Sequence, residues 1–434
     1  MRKVILAPAI IIALGTAAVL ASAAVWSTAS LVSSDDSTPV PATATAAATE
    51  TPASGATATA APASGALPAG TSGLLTYVRG NALITVQLPD NVEVAREEAP
   101  HPLSAVSSRD GAWAAWAACR ETDCDLNIDG PGGEQHTLRI DGYVGSLDWS
   151  ADGSALAYNV THYENDLLVR RELIVLERTA IDAPRVVYTS TSEFSGPFAW
   201  DAADGLIVAL NALGPEQSPA QIVRFGRDGS QSDVATAPTG VGFFYPSPDR
   251  SLFAFTQDTA EGWRLMALDT ASGEIIDFGN MGSDPAGVAP PVVSPTAKGP
   301  MYIAWSPDST RLAFGGGSAP PYVMTTVDVR DGSVRRTEFM EGYPGEIEWS
   351  PDGSMIAVST YDADRTRHEV YIVDPASGEA RHVSSGCVIV WSPDGRFLAQ
   401  HIDKEHGIAI VDIASGAYGH LTDGPYDVPV RWRE

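Results

Sequence analysis

The chain has 434 residues, of which 44% are hydrophobic and 8% aromatic, so it can form a sizeable folded core. Its 54 Asp and Glu residues outnumber its 27 Lys and Arg residues, which gives a formal net charge of −27. Such a charge repels phosphate backbones and anionic lipid headgroups, which argues against a nucleic-acid-binding protein. The 40 Gly and 31 Pro residues are spread along the chain, as in proteins with many turns.

Residues 1–27 have the pattern of an export signal. Met1-Arg2-Lys3 supplies positive charge, the stretch from Val4 to Trp26 has none, and Ala21-Ser22-Ala23 fits the small-x-small cleavage pattern. The uncharged stretch is also long enough to span a bilayer, so the segment is either a cleaved signal peptide or an uncleaved membrane anchor. Both alternatives predict an extracytoplasmic chain (periplasmic, secreted or anchored at the cell surface) that touches the membrane only through this segment.

Residues 28–73 form the next predicted region, a disordered stalk. From Ser33 to Gly73 the sequence is almost wholly Ala, Thr, Pro, Ser and Gly, and it contains no Lys or Arg. Such a segment cannot bury enough apolar surface to offset the entropy cost of ordering it. We therefore expect a spacer in front of one folded domain, residues 74–434.

Two of the three cysteines are close together in the sequence. Cys119 and Cys124 flank a short polar stretch between two apolar runs. An exported chain can oxidise such a pair, and the spacing predicts a disulfide across a hairpin loop. Cys387 lies just before an apolar run, where we expect a buried free thiol.

A unit of about 45 residues recurs along the rest of the chain. Its clearest copy reads Ile-Glu-Trp-Ser-Pro-Asp-Gly-Ser-Met-Ile-Ala-Val, from Ile347 to Val358. Copies of this motif surround Asp residues at positions 110, 152, 204, 249, 308, 352 and 394, and the copy at Asp110 has lost its aromatic residue. The period is typical of the four-stranded blade of a β-propeller.

Each part of the motif has a physical reason. The apolar-x-Trp run alternates with period two, as a half-buried strand does. Pro presets the first corner of a turn, Asp bonds nearby backbone amides, and Gly accepts a positive φ, so Ser-Pro-Asp-Gly predicts a tight turn. The regular spacing of the Asp residues is explained by this turn, and we do not interpret them as catalytic carboxylates.

The two ends of the folded region predict how the ring closes. The chain ends with Val428 to Trp432, an inner-strand pattern with no turn after it, and the folded part begins at Leu74 with the patterns of second and third strands. The C-terminal strand can therefore complete the N-terminal blade and remove the exposed sheet edges. We predict an all-β propeller of eight blades, with seven as the alternative because the copy at Asp110 is degenerate.

The Trp-Ser-Pro-Asp-Gly…Leu-Ala-Phe unit resembles the WD40-like repeat of TolB-type propellers, and it is similar to the propellers that precede prolyl-oligopeptidase catalytic domains. The resemblance covers about residues 74–434. It implies a binding platform that docks another protein at one face or at the axial channel. TolB has a small α/β domain before its propeller, whereas this chain has the predicted stalk.

Patterns for catalysis are weak in this sequence. It contains no Gly-x-Ser-x-Gly nucleophile elbow, no phosphate-binding loop with its Lys and no His-x-x-x-His zinc pair. His401, His406 and Asp403 flank one loop and are the candidates for a channel metal, and the acidic run at residues 361–365 is a candidate calcium loop. Neither pattern has a full ligand set, so we predict no metal and no cofactor.

The predicted binding site lies at one mouth of the channel, where loops lead into the inner strands. Aromatic side chains beside charges are typical of protein interfaces. Its residues are Tyr143, Asp148, Tyr343, Glu346, Glu348, Tyr426, Asp427 and Arg431. Asp148, Glu348 and Arg431 share one position in the repeat, just before the motif Trp.

The sequence favours a monomeric, non-enzymatic binding platform that docks an envelope protein or a glycan through one propeller face or the channel. The alternative is a metal-assisted polysaccharide lyase or hydrolase with its site in the channel.

Overall fold

A computed structural model describes residues 66–434 apart from several gaps. The gaps are residues 81, 99–105, 109–111, 121, 132–133, 165–166, 192–194, 211–218, 238–240, 242–243, 260–261, 281–302, 317–321, 340–341, 363–366, 403–406 and 425. The predicted signal segment, most of the stalk and the motif turn at Asp110 therefore lie outside the described residues.

Thirty-two strands form the fold over the described residues, and they are numbered in chain order. The first four blades contain β1 (Gly73–Arg79), β2 (Ala82–Leu88), β3 (Val92–Glu98), β4 (Val106–Ser107), β5 (Ala114–Cys119), β6 (Asp123–Asp129), β7 (Gln135–Asp141), β8 (Tyr143–Trp149), β9 (Ala155–Glu164), β10 (Leu167–Glu177), β11 (Arg185–Ser190), β12 (Ser195–Trp200), β13 (Leu206–Leu210), β14 (Ala220–Phe225) and β15 (Gln231–Ala237).

The remaining strands form blades 5 to 8 and the closing strand. They are β16 (Tyr245–Pro246), β17 (Leu252–Thr259), β18 (Gly262–Asp269), β19 (Ile275–Asn280), β20 (Ile303–Trp305), β21 (Arg311–Gly316), β22 (Tyr322–Asp328), β23 (Val334–Phe339), β24 (Tyr343–Trp349), β25 (Ile356–Tyr361), β26 (His368–Val373), β27 (Ala380–Ser385), β28 (Cys387–Trp391), β29 (Phe397–His401), β30 (Ile408–Asp412), β31 (Tyr418–His420) and β32 (Val428–Arg433). The described residues include a 3-10 turn at Arg178–Ala180, and no helix among them is long and apolar enough to cross a bilayer.

The strands form eight four-stranded antiparallel sheets arranged as a ring, so the prediction of an eight-bladed propeller is confirmed. The C-terminal strand β32 pairs with β1, and blade 1 runs β32-β1-β2-β3 from its inner to its outer strand. This closure joins the two ends of the folded region. Residues of the predicted stalk also touch the ring, because Leu67 packs against the core between blades 8 and 1 and Thr71 is buried.

Buried apolar side chains fill the spaces between neighbouring blades. Blade 6 meets blade 7 through Phe339, Ile347, Trp349 and other residues. The motif Trp adds a polar link, because its indole N–H donates to a carbonyl on the inner strand of the preceding blade. These donor–acceptor pairs are Trp149–Val106, Trp200–Asp148, Trp305–Tyr245, Trp349–Ala304 and Trp391–Glu348, at 2.7–3.1 Å.

The Ser-Pro-Asp-Gly segments form tight turns at one end of the ring, which we call the turn face. In blade 7 the Ser350 hydroxyl donates to Asp352 at 2.7 Å, and Asp352 also accepts the backbone N–H of Ser354 at 3.0 Å. The same hydroxyl bond recurs at Asp152, Asp249, Asp308 and Asp394. These carboxylates therefore stabilise the tight turns of the turn face.

Candidate functional site

The opposite end of the ring is the mouth face, where the chain enters each inner strand and where the hairpins between second and third strands turn. Tyr143 and Tyr343 begin the inner strands β8 and β24, and each follows a glycine with positive φ, +113° at Gly142 and +88° at Gly342. A Cβ on Gly342 would lie 2.8 Å from Oγ1 of Thr360, so both conformation and space favour glycine there. These glycines allow the sharp turn that delivers each tyrosine to the mouth.

Tyr343 belongs to an aromatic cluster at the junction of blades 6 and 7. Its ring centroid lies 5.9 Å from that of Tyr322 and 5.3 Å from that of Tyr361, and the Tyr361 ring lies 6.3 Å from that of His368. All four residues are half-buried, so each keeps some surface open to solvent. The cluster joins residues from the ends of four strands, β22, β24, β25 and β26.

Tyr143 has a different neighbour, Tyr163, which lies near the end of β9. The two rings meet edge to face with their centroids 5.9 Å apart. Tyr143 is half-buried, whereas 43% of Tyr163 is exposed. A second aromatic pair therefore stands at the mouth of blade 3.

Tyr426 and Asp427 are adjacent in the sequence but have opposite environments. Tyr426 is 69% exposed just before the closing strand. Asp427 is only 1% exposed and accepts two hydrogen bonds from the Arg79 guanidinium, at 2.9 and 2.6 Å. Asp427 thus holds the β1–β2 hairpin to the closing strand, and Tyr426 is the residue of the two that a partner can reach.

Asp148 is also buried in an internal ion pair. Its carboxylate accepts bonds from both terminal nitrogens of Arg250 at 2.9 and 3.0 Å, and from the backbone N–H of Trp200 at 3.0 Å. All of these partners belong to the ring itself. Asp148 therefore joins blades 3, 4 and 5 and offers a ligand little surface.

Glu346 and Glu348 lie on the side of β24 that faces blade 8. Glu346 is 7% exposed; its Oε2 accepts the backbone N–H of Ile389 at 3.1 Å, and its Oε1 is buried without a hydrogen-bond partner in the described part of the chain. Burial, with the nearby Glu348 charge, raises the pKa of Glu346 well above its usual range, and burial raises the pKa of Glu348 to about 7. Burial and the charge of Glu346 raise the pKa of the Cys387 thiol to about 12, so this free cysteine stays protonated at neutral pH.

Arg431 is half-buried in β32, directly before Trp432. Trp432 stacks on Phe397 and donates its indole N–H to the carbonyl oxygen of Ser72 at 2.9 Å. Arg431 therefore lies near the end of the inner strand that is remote from the mouth face, where Val428 begins the strand.

Cys119 and Cys124 are joined by a disulfide at the turn between β5 and β6. Sγ of Cys124 accepts the backbone N–H of Val144 at 3.1 Å, and the carbonyl oxygen of Thr122 accepts the N–H of Gly142 at 3.0 Å. The bridged turn of blade 2 therefore supports the backbone on both sides of Tyr143.

The described residues contain no group of three or more His, Cys, Asp and Glu side chains arranged to hold a metal. His401 is described, and its Nδ1 lies 3.0 Å from the carbonyl oxygen of Asp427, a carbonyl that accepts its N–H. Asp403, His406 and residues 363–365 of the candidate calcium loop lie outside the described residues.

The sequence analysis predicted the tyrosines at the starts of inner strands as binding residues. It did not predict the tyrosines at the hairpins between second and third strands. Tyr163, Tyr322 and Tyr361 reach the same face from second and third strands. Each of these tyrosines lies at the mouth end of its strand, next to the predicted hairpin loop, and this position in the sequence could have indicated them. Alternation along a strand does not show which hairpin residues meet across blades.

Comparisons with known proteins support the fold. Neither a protein-family model nor a curated protein matches the sequence, so the resemblance to the WD40-like repeat stays a prediction. Among solved structures, dihydro-heme d1 dehydrogenase NirN in complex with DHE is 14% identical, with 86% of this chain and 77% of that chain covered and a TM-score of 0.57. A eukaryotic initiation factor is 14% identical, with 87% and 89% covered and a TM-score of 0.52.

TolB from Acinetobacter baumannii is also similar, at 13% identity with 71% of this chain and 77% of that chain covered and a TM-score of 0.36. At 14% identity, the likeness to the dehydrogenase and to the initiation factor shows a shared fold alone. The chain is therefore a β-propeller, similar in architecture to proteins of different functions.

Proposed function

We propose that this protein is an extracytoplasmic, non-enzymatic binding platform that docks an envelope protein or a glycan at its mouth face. The supporting observation is the placement of its aromatic side chains. Tyr143, Tyr163, Tyr343 and Tyr426 stand at the mouth face, and Tyr426 is 69% exposed. Half-exposed tyrosines on a rigid scaffold are effective anchors in interfaces because they lose little conformational entropy on binding.

The extracytoplasmic location rests on the export pattern of residues 1–27. The turn face is a weaker candidate for docking. Its motif carboxylates are already engaged by hydroxyl and amide groups of their own turns. The mouth face keeps its tyrosine rings open to a partner.

The test is affinity capture from a cell-envelope extract with the full chain as bait, followed by measurement of Kd for the captured molecule. Tyr343→Ala with Tyr426→Ala should raise Kd about tenfold or more, as expected for interface anchors. The matched control is Val334→Ala, an exposed residue on the outer strand of blade 6 that should leave Kd unchanged. Equal Kd values for wild type and the double variant, with an unchanged urea midpoint, would contradict this site.

A further inference from the structure

The disulfide between Cys119 and Cys124 crosses the end of the β5–β6 hairpin at the mouth face. The two cysteines are directly opposite each other in the pairing of β5 with β6, at a sequence separation of 5. The backbone N–H of Arg120 also donates to the carbonyl oxygen of Asp123 at 2.7 Å. The hairpin is therefore closed by its own hydrogen bonds, and a covalent link across so short a loop removes less chain entropy than a link across a long one.

The two sulfur atoms of this disulfide have different environments. Cys119 is exposed to solvent, whereas Cys124 is completely buried. A thiolate in solution therefore reaches Sγ of Cys119, and Sγ of Cys124 is then the leaving group. Sγ of Cys124 accepts the backbone N–H of Val144 at 3.1 Å, which stabilises negative charge on the departing sulfur. Exposure and a stabilised leaving thiolate both favour thiol–disulfide exchange.

The same disulfide contacts the backbone on one side of Tyr143. Sγ of Cys124 contacts the N–H of Val144, and Sγ of Cys119 lies 3.9 Å from the carbonyl oxygen of Val144. On the other side of Tyr143, the N–H of Gly142 donates at 3.0 Å to a carbonyl oxygen of the loop that the disulfide closes. Two thiols cannot stay at the distance of a covalent S–S bond, so reduction must move the sulfur atoms apart. Reduction therefore changes the contacts that support Tyr143.

We propose that the Cys119–Cys124 disulfide is a redox switch, whose reduction by an extracytoplasmic dithiol loosens the mouth face at Tyr143. One thiolate of the dithiol attacks Sγ of Cys119, the S–S bond breaks, and Cys124 leaves as a thiolate and takes up a proton. The second thiolate of the dithiol then attacks the dithiol's own sulfur in the mixed disulfide, and Cys119 leaves and is protonated. The protein gains two electrons and two protons, and the dithiol becomes a disulfide.

The consequence for binding rests on the proposed binding-platform function and adds a means of regulating it. Tyr143 is a predicted contact residue, and its ring centroid lies 5.9 Å from that of Tyr163 at the mouth of blade 3. An anchor that is fixed before the partner arrives loses less entropy on binding than a mobile one. The oxidised chain should therefore bind the partner more tightly than the reduced chain.

The first experiment follows reduction of the full chain by dithiothreitol, with alkylation and mass spectrometry to measure free Cys119 and Cys124. Because Cys119 is exposed, the rate should rise in proportion to the dithiothreitol concentration and should be the same with and without urea below the unfolding midpoint. A rate that rises with urea and is independent of dithiothreitol would mean that the chain must unfold first, and it would overturn the switch. A disulfide that stays intact at every ratio of reduced to oxidised glutathione would also overturn it.

Single-cysteine variants test which sulfur is attacked. In a Cys387→Ala background, Cys124→Ser leaves the thiol of Cys119, and Cys119→Ser leaves the thiol of Cys124. The Cys119 thiol should react with a soluble thiol reagent at least about tenfold faster than the Cys124 thiol. Equal rates would overturn the attack at Cys119. Cys387→Ala alone keeps the disulfide, and as the control it should be reduced at the wild-type rate.

Hydrogen exchange and binding separate the switch from the proposed function. In the reduced chain, the amides of Gly142 and Val144 should exchange faster, and Kd for the captured molecule should rise about fivefold or more. If the Tyr343/Tyr426 variant weakens binding and reduction changes neither the exchange nor Kd, the switch is overturned and the platform stands. If reduction speeds the exchange but neither reduction nor the variant changes Kd, the switch stands and the proposed binding site is overturned.

Discussion

The carboxylate of Asp148 in blade 3 is clamped by the guanidinium of Arg250 in blade 5, with N–O distances of 2.9 and 3.0 Å. Arg250 occupies the turn position that glycine takes in the clearest copies of the motif, and it keeps the positive φ of that position, +60°. Its guanidinium crosses blade 4, where it also donates to the carbonyl oxygen of Trp200 at 3.0 Å. Arg250 therefore adopts a backbone conformation that is unfavourable for a residue other than glycine, and its side chain joins three blades.

We predict that Asp148→Ala lowers the free energy of unfolding by about 3 kcal/mol, because it leaves the buried Arg250 charge without its partner. Asp148→Ala combined with Arg250→Gly should be less destabilised than Asp148→Ala alone, since no unpaired charge remains and the positive φ is relieved. Urea unfolding measures both. Asp277→Ala, which removes the partly exposed pair with Arg264, is the control and should cost less than about 1 kcal/mol. Equal losses for Asp148→Ala and Asp277→Ala would refute the clamp.

A second prediction concerns the indole link between blades. Trp391→Phe removes the N–H that donates to the Glu348 carbonyl oxygen at 3.1 Å, and it should lower the free energy of unfolding by about 1–2 kcal/mol. Trp116→Phe is the matched control, because the Trp116 indole nitrogen is buried without a hydrogen-bond partner in the described structure. Trp116→Phe should lower the free energy of unfolding clearly less than Trp391→Phe does. The same loss from both substitutions would mean that ring volume alone explains the effect.

The carboxyls of blade 7 predict how stability changes with pH. Burial raises the pKa of Glu348 to about 7 from an ordinary value of 4.5, and raises that of Glu346 well above the same value. The folded state therefore binds these protons more tightly than the unfolded chain, so stability should fall as the pH rises from about 5 to above 7. Melting temperatures between pH 5 and 9 measure the slope.

In the same experiment, Glu348→Gln should flatten the slope because it removes one of the two protons involved. Glu338→Gln, at an exposed position on the outer strand of blade 6, is the control and should reproduce the wild-type profile. A wild-type slope retained in Glu348→Gln would contradict the assignment.

The disulfide gives a fourth prediction. Cys119 and Cys124 close a short loop, and opening it with Cys119→Ser and Cys124→Ser should cost about 2 kcal/mol. Because the turn supports the backbone around Tyr143, amide hydrogen exchange should speed up at Gly142 and Val144. The amide of Gly332, in a turn of blade 6, is an internal control that should not change. Unchanged exchange at Gly142 would show that the turn does not support the mouth.

The local features of this propeller follow from the sequence. The spacing of the motif Asp residues, the Ser-Pro-Asp-Gly turns and the unfinished strand at Val428–Trp432 predicted the eight blades and their closure. Turn chemistry and period-two alternation act over a few residues, so the sequence displays them directly. Because the unit recurs along the chain, the local pattern of one blade also predicts the ring.

Tertiary structure alone decided which residues of the mouth face can meet a partner. Asp148 and Asp427 were predicted with Tyr343 and Tyr426 as binding residues, yet both are buried and paired. Asp427 lies at the mouth face and pairs with Arg79, 348 residues away, whereas Asp148 lies at the turn-face end of its strand and pairs with Arg250, 102 residues away. The hairpin tyrosines reach the mouth for a similar reason. Contacts across blades depend on the closed ring and on side chains far apart in the chain, and neither a motif nor a periodicity contains that information.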